Sequence, residues 1–375
     1  MMTPRERLFA FLNGEPCDRV PVWLLFPYHP VSYYADVRTL PLYRDIVAVS
    51  EKQGAVWLNR RNLGAPFYTP DVTVTHEDVT EGSDTVERTT FRYRNLVLTS
   101  EQRRGPAGVR HKPLLASEED LATYAQFPIE CDEHVLTTAL DSQIAAWRRE
   151  NAEFPSHLGA MMNDLGEPIG VIYHQANLEE YAIWSLTMTE TMAQLLDRLM
   201  TRYRIIYRHL LEQGVGEVFF MVGSELASPP LVSRKTFQQW VVPYARDLIA
   251  MVHDYGKHVI QHYHGQIKEI MPDFLTMAPD ALHTIEAPPV GNCTLTEAFE
   301  IVGDRIGLIG NIQYDEFHRL STDAMEQAVR EVLEECHGKR FMLSPTAGPY
   351  ETEVTPRLRD NYLRFLDAAS RYGVG

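Results

Sequence analysis

Apolar and polar positions along the chain follow two rhythms, and the change between them marks out its elements. Near the N-terminus, Thr3-Pro4-Arg5-Glu6 has the form of a helix start, with threonine as cap, proline in the first turn and glutamate closing a capping box. Leu8, Phe9, Phe11 and Leu12 supply the apolar stripe and Asn13-Gly14 the stop. Val20-Pro21-Val22-Trp23-Leu24-Leu25-Phe26 is an unbroken apolar run, the pattern of a strand buried on both faces. From Val72 to Arg103 the texture becomes Thr/Val/Arg alternation broken at Glu81-Gly82-Ser83-Asp84 and Arg94-Asn95, which predicts antiparallel hairpins.

Beyond residue 155 short apolar runs alternate with longer helical patterns. The predicted strands are His157–Met161, Gly170–Tyr173, Glu217–Val222, His258–Gln261, Leu282–Ile285, Ile306–Ile309 and Phe341–Leu343. A helix is predicted from Ser233, with Phe237, Trp240, Tyr244, Leu248 and Met251 at helical spacing up to Gly256. Another begins at Thr355-Pro356 and carries Leu358, Tyr362, Phe365 and Leu366. Strands alternating with helices imply parallel pairing through right-handed crossovers. With the Val20 run the strands number about eight. The expectation is therefore an α/β chain, a (β/α)8 TIM barrel forming one domain over residues 1–375, with an antiparallel β-hairpin insertion near the N-terminus at 71–111.

Composition narrows the functional classes. The 375 residues are 45% hydrophobic and 23% charged, with a formal net charge of -16. An acidic surface repels phosphate backbones and anionic lipid heads, so neither nucleic acid nor a membrane is an expected partner. No apolar run reaches the ~20 residues that span a bilayer, and no signal-peptide pattern opens the chain. Cys17, Cys131, Cys293 and Cys336 are far apart and form no CxxC pair, which argues against a cysteine zinc knuckle or a disulfide framework. A reduced, cytoplasmic protein is expected. No dinucleotide fingerprint, P-loop or internal repeat is present.

Parallel barrels carry their chemistry at the C-terminal ends of the strands, so polar residues just past each predicted strand are the candidates. They are Asn163 with Asp164, His174, Glu225, His262 and His264, Glu286, Asn311, Gln313 and Tyr350. His262 and His264 stand two apart where a strand bends into its loop, a spacing that suits a divalent metal, and Glu225 and Glu286 from flanking strands complete a His2Glu or His2Glu2 set. The bland alternative is one hydrogen-bonded core histidine and one helix cap. Glu225 and Glu286 serve equally as bases, or as a helix cap and an arginine partner. Asn311 either binds substrate or ties down loop backbone, and His174 reads better as structural. Met161-Met162 is core filler, and Cys293 has no base nearby to make it a nucleophile.

Arg5-Glu6-Arg7 with Asp18-Arg19-Val20-Pro21-Val22, Phe237 to Tyr244 before the His262 turn, Gly310-Asn311 and Leu343-Ser344-Pro345 together resemble the uroporphyrinogen decarboxylase superfamily. The resemblance runs over nearly the whole chain in element order. The decarboxylases of that superfamily carry an arginine-rich stretch after the first strand; here it reads Leu25-Phe26-Pro27-Tyr28-His29-Pro30, with no arginine until Arg38. A substrate bearing eight carboxylates needs cations that this stretch lacks. The inserted hairpins instead resemble the branch that moves methyl groups to and from cobalamin, whose better-known members bind zinc through a His-x-Cys turn and a later cysteine. His262 matches that histidine, His264 stands at the cysteine position, and Ser344-Pro345-Thr346-Ala347-Gly348 has no cysteine.

What this resemblance implies is a methyltransferase that passes the methyl group of a small O-methyl compound, such as an aryl methyl ether, to a partner corrinoid protein carrying cobalamin. Zinc on His262, His264, Glu225 and Glu286 would be a hard Lewis acid toward the ether oxygen. Glu225, Glu286 and Asn311 are the expected catalytic residues. Trp23, Phe26, Tyr28, Asn163, His174, Gln313 and Tyr350 are the expected substrate contacts. Two other expectations stand beside it: a decarboxylase of a tetrapyrrole or smaller acid, and an inactive small-molecule-binding barrel. Homo-oligomerisation is left open.

Overall fold

In the computed structural model, which describes residues 2–374, the strands sort into two sheets. They are β1 (Trp57–Arg61), β2 (Thr73–Glu81), β3 (Asp84–Tyr93), β4 (Leu96–Gly105), β5 (Gly108–Lys112), β6 (Gly159–Leu165), β7 (Val218–Val222), β8 (His258–His262), β9 (Ala281–His283), β10 (Gly307–Ile312) and β11 (Phe341–Pro345). A curled parallel sheet has the order β1-β6-β7-β8-β9-β10-β11. The segment β2 to β5 is a separate antiparallel meander, as the alternation predicted for residues 71–111.

The apolar run Val20–Phe26 connects the two edges of the curled sheet. Val22 bridges Leu343 on β11 and Trp23 bridges Val56 just before β1, both in parallel sense. The Trp23 N–H donates to the Leu343 carbonyl at 2.9 Å, and the Val56 N–H to the Val22 carbonyl at 2.7 Å.

Each strand has two faces, because side chains alternate along it. Leu58, Met162, Phe220, Ile260, Ile309 and Met342 point to the inner face and cluster with Trp23 and Leu25. The alternate positions, Leu165, Phe219, Val259, Leu282, Leu308 and Leu343, pack outward beneath the helices. The helix Pro4–Asn13 closes the N-terminal end by driving Leu8, Phe11 and Leu12 into the inner cluster. Each such side chain contributes about 1.5–3 kcal/mol on full burial. Its predicted capping box is present between Thr3 and Glu6, and Gly14 ends it in the left-handed region at φ 71°, where a side chain would be strained.

Three expectations change. Gly170–Tyr173 is not a strand but the end of a helix, Pro168–Tyr173. Pro168 starts it without needing a hydrogen bond, and Ile169, Ile172 and Tyr173 at helical spacing are buried. The strand that takes its place in the count is β1, whose Asn59-Arg60-Arg61 end hides the signal of Val56-Trp57-Leu58. The helix from Ser233 is two, Arg234–Trp240 and Val242–Asp254, parted where Pro243 lacks the N–H to continue the ladder.

Candidate active site

The inner face is apolar until the C-terminal ends of β1, β6, β8 and β9, where four charged or imidazole side chains replace the pattern. Arg60 and Asp164 take the inward positions above Leu58 and Met162, and Arg60 Nε donates to Asp164 Oδ1 at 2.8 Å. Both are largely buried, with side chains 14% and 16% exposed. The guanidinium lies 4.3 Å from the centre of the Phe220 ring and 5.3 Å from that of Tyr33. Burial, the largest influence, works to lower the Arg60 pKa, but the charge and hydrogen bond of Asp164 together with Tyr33 and Tyr34 outweigh it and keep the group cationic. Tyr34 is the other polar neighbour of this cation.

Across Phe220 stand the histidines. His262 lies 5.1 Å from the Phe220 ring and stacks on His283, with centroids 4.8 Å apart, above Trp23, which is 5.6 Å from His283. The two Nδ1 atoms are 2.7 Å apart, and His283 Nε2 is 3.2 Å from the Pro345 carbonyl. Burial first, and neighbouring cationic groups second, hold His262 well below the ordinary histidine range.

His264 meets His262 edge-on at 4.5 Å and reaches up to two carboxylates. Its Nδ1 is 3.3 Å from Glu286 Oε1, and its backbone N–H donates to Glu225 Oε1 at 3.2 Å. The other oxygen of Glu286 accepts from the Gly265 N–H at 2.7 Å. Burial would lower His264, but its hydrogen bond to Glu286 and the charges of Glu286 and Glu225 raise it above the usual 6.5. Glu286, despite burial, is lowered by His264 and the Gly265 amide, while burial pushes Glu225 up. Glu286 and His264 thus favour each other's charged forms, while Glu225 gives up its proton less readily than an ordinary glutamate.

Beneath the turn that carries Glu225 sits a buried polar knot that sequence reading missed. Glu167, fully buried, accepts from Tyr263 at 3.1 and 3.2 Å and from Gln261 Nε2 at 3.3 Å, and is bonded to Ser224. Burial raises its pKa to about 7. The knot ties the ends of β6, β7 and β8 together and so fixes Glu225 and His264 relative to each other.

The predicted residues divide accordingly. Glu225, Glu286, His262 and His264 come together at one place on the rim. Gln313 stands just before the helix Tyr314–Arg319, accepts from Thr346 Oγ1 at 3.2 Å, and its amide nitrogen helps to lower Glu286. Tyr350 is half exposed at the rim, its ring 5.8 Å from Tyr34. Asn311 lies on β10 in register with Ser344. Trp23 is floor rather than wall. Phe26 is buried among Tyr43, Trp57 and Tyr362, outside the sheet. Tyr28 lies under Arg38 and lines a cleft of about 360 Å³ beside the first helix. Asn163 occupies the outward phase of β6, buried beside Gly216, because its neighbours Met162 and Asp164 take the inward one. His174 is exposed at a helix end. Asp164, a candidate beside Asn163 from the sequence, is the one of that pair that faces inward; Arg60 and His283 were missed because they lie inside strands rather than after them, and a two-residue phase from Leu58 and Ala281 would have found them.

The metal expectation fares differently from the cluster itself. His262 turns Nδ1 to His283 and His264 turns Nδ1 to Glu286. Among the described residues no three His, Cys, Asp or Glu side chains are arranged to hold a metal ion. The donor set as arranged does not fit zinc.

Comparison with known proteins gives this rim a context. Residues 166–358, more than half of the chain, match the family described as uroporphyrinogen decarboxylase (URO-D). Two relatives from Methanosarcina barkeri, both named methylcobamide:CoM methyltransferase MtaA, are 25% and 26% identical over 145 residues. Those matches take in 39% of this chain and 40% of each relative, so the chain spans about two fifths of their length. Among solved structures, a methyltransferase from Methanosarcina mazei aligns over 99% of both chains with a TM-score of 0.59 and 18% identity, a likeness of fold. No helix among the described residues is long and apolar enough to cross a membrane.

Proposed function

The chain belongs to the uroporphyrinogen decarboxylase family, and from that premise we propose that it is a methyltransferase that works with a corrinoid protein and draws the methyl group from a small O-methyl compound, an aryl methyl ether being the best fit. The whole of residues 1–375 is read as one (β/α)8 barrel domain, with Val20–Phe26 as its eighth strand and residues 71–111 inserted. Similarity to the two proteins named as methylcobamide:CoM methyltransferases supports the reaction class. The lack of arginines between Leu25 and Pro30 speaks against a polycarboxylate tetrapyrrole.

The observation that carries the proposal is His264 at the rim, its imidazole against Glu286 and its backbone N–H on Glu225, a setting that raises its pKa and favours the protonated ring. Transfer breaks the methyl C–O bond. The carbon goes to the reduced, nucleophilic cobalt of the partner's corrinoid, the bonding electrons stay on oxygen, and the oxygen needs a proton or a Lewis acid as it leaves. Zinc on His262, His264, Glu225 and Glu286 is the Lewis-acid version, and it requires the His264–Glu286 contact to open. His264 as general acid needs no rearrangement. Glu286 keeps that imidazole charged, and Arg60, Phe220, Tyr33 and Tyr350 offer the ring and its polar substituents a wall.

The test is methyl transfer from a panel of methoxybenzenes, methanol and methylamines to chemically reduced cobalamin, followed by its absorbance change. Methylation from an aryl methyl ether, lost in His264→Ala, supports the reading. Transfer from none of the panel sinks it.

A further inference from the structure

The stacked pair below His264 holds information that its distances alone reveal. The Nδ1 atoms of His262 and His283, 2.7 Å apart, share one hydrogen, and the surroundings decide which ring owns it. His283 Nε2 stands 3.2 Å from the Pro345 carbonyl oxygen. A carbonyl can only accept, so Nε2 of His283 carries its N–H. His283 is wholly shielded from solvent, both rings are stacked between Phe220 and Trp23, and among the described residues no carboxylate is bonded to either, so each stays neutral. A neutral imidazole has a single N–H. His283 Nδ1 is therefore a lone pair, and the shared hydrogen belongs to His262 Nδ1.

It follows that His262 Nε2 bears no hydrogen. Among the described residues that nitrogen has no hydrogen-bond partner, and it is not one of the fully buried orphan atoms. It belongs to an inward position of β8, beside Phe220 and His264. Free histidine prefers its hydrogen on Nε2, so the pair inverts the intrinsic preference. The tautomer of one ring is set by the bond its other nitrogen makes.

We propose that His283 is a positioning residue which, through the chain Pro345 carbonyl–His283–His262, fixes His262 as a bare Nε2 acceptor on the rim, and that the ligand seated there presents an O–H or N–H group to it. This separates two roles that the sequence leaves merged in the His262-x-His264 pair. His264, its Nδ1 against Glu286, is the donor; His262 is the acceptor, stripped by its partner imidazole. A rim with one of each discriminates between the two ends of a polar ligand.

The experiment uses the full chain labelled with 15N-histidine and long-range 1H–15N spectra at neutral pH, the His262 signals being assigned with His262→Gln. The expected pattern is a pyridine-type Nε2 and a pyrrole-type Nδ1 for His262, and the reverse for His283. A protonated Nε2 on His262 overturns the proposal without any variant. His283→Asn sets an amide oxygen where Nδ1 stood and should keep the His262 pattern, whereas His283→Leu should return it to the Nε2–H form. An unchanged pattern in the leucine variant also overturns it. With 2-methoxyphenol as the probe, the wild-type His262 Nε2 resonance should move toward the hydrogen-bonded position; no movement removes the ligand role. The tautomer is read in the resting protein, so a failure of methyl transfer leaves this outcome untouched.

Discussion

The two ends of the curled sheet use polar groups in opposite ways. At the N-terminal end three arginines are spent on the protein itself. Arg5 pairs with Glu217 at 2.8 Å, buried Arg7 with Asp18 at 2.7 Å, and Arg340 donates to the Phe11 carbonyl at 2.7 Å, over a helix whose Leu8, Phe11 and Leu12 fill the interior. At the C-terminal rim the accounts stay open. Arg60 makes one close hydrogen bond of the five its guanidinium can donate, and His262 Nε2 makes none. Buried polar groups left unmatched cost stability, so a fold retains them where a ligand supplies the missing partner. One end is built for the fold and the other for binding, and mutations at the two should separate stability from activity.

The largest effect belongs to the rim. His264→Ala should lower methyl transfer by about 10²–10⁴-fold, the range of a lost general acid. It should cost stability less than about 1 kcal/mol, since the imidazole is 39% exposed and solvent screens its ion pair. Rates and urea midpoints measured on the same preparation test both halves. At the other end, Phe11→Ala should cost about 3–5 kcal/mol through the cavity it leaves in the inner cluster. The turnover of the molecules that remain folded should not change. A Phe11 variant that alters turnover, or a His264 variant that unfolds, breaks the division.

Arg60 sharpens it, because it serves both purposes. Arg60→Met removes a charged donor from the rim and should raise KM for an anionic or hydroxylated ring by about 10–100-fold, from the roughly 1.5–3 kcal/mol of such a hydrogen bond. It also strands Asp164 in a nearly buried place, at about 3 kcal/mol. Adding Asp164→Leu should restore the urea midpoint and leave KM high. If the double variant restores both, Arg60 is structural and the rim does not use it.

pH offers a gentler probe. His264 is raised above 6.5, so its protonated form persists to higher pH than that of an ordinary histidine. A rate that needs this proton is full below that raised value and falls as pH climbs through it. Glu286→Gln removes the partner that raises His264, and the falling limb should move to lower pH. The stability that the pair contributes follows the same sign on the His264 side, present below and lost as pH rises; the Glu286 share, lowered from 4.5, is lost only as pH falls through its depressed value. An unmoved limb would assign the proton to another group.

How much of this was legible beforehand depends on what each signal measures. Alternation of apolar runs with helical stripes reported burial, and so recovered the Thr3 helix start, the meander of residues 71–111 and the strands from Glu217 onward. It failed at Gly170–Tyr173, where a buried six-residue helix and a buried strand are equally apolar, and at Trp57–Arg61, where the strand ends in the polar residues the rim requires. The site was half legible for the same reason. Residues past the strand ends were sought, which found His262, His264, Glu225 and Glu286. The same search reached Asp164 beside Asn163 without telling which of the two faces inward, and Arg60 and His283 occupy the last inward positions inside strands, where only the phase of the strand reveals them. The tautomer of His262 depends on a carbonyl 83 residues away, at Pro345, which no local pattern can carry.

The smallest effect tests whether the closed end is independent of the rim. Thr3 accepts from the Glu6 N–H at 3.2 Å and gives its own N–H to Glu6 at 2.7 Å, satisfying two groups that the helix leaves unpaired. Thr3→Ala removes the first of these contacts and should cost about 1 kcal/mol, the typical loss of such a cap. The helix it starts plugs the inner cluster from below, while His264 and Arg60 are held from above by strand ends and by the Glu167 knot. A slightly loosened plug should therefore lower the urea midpoint and leave KM, turnover and the pH limb of methyl transfer where they were. A shifted pH limb in Thr3→Ala would show that strain at the plug reaches Glu286 through the strands, and the two ends would then have to be treated as one mechanical unit.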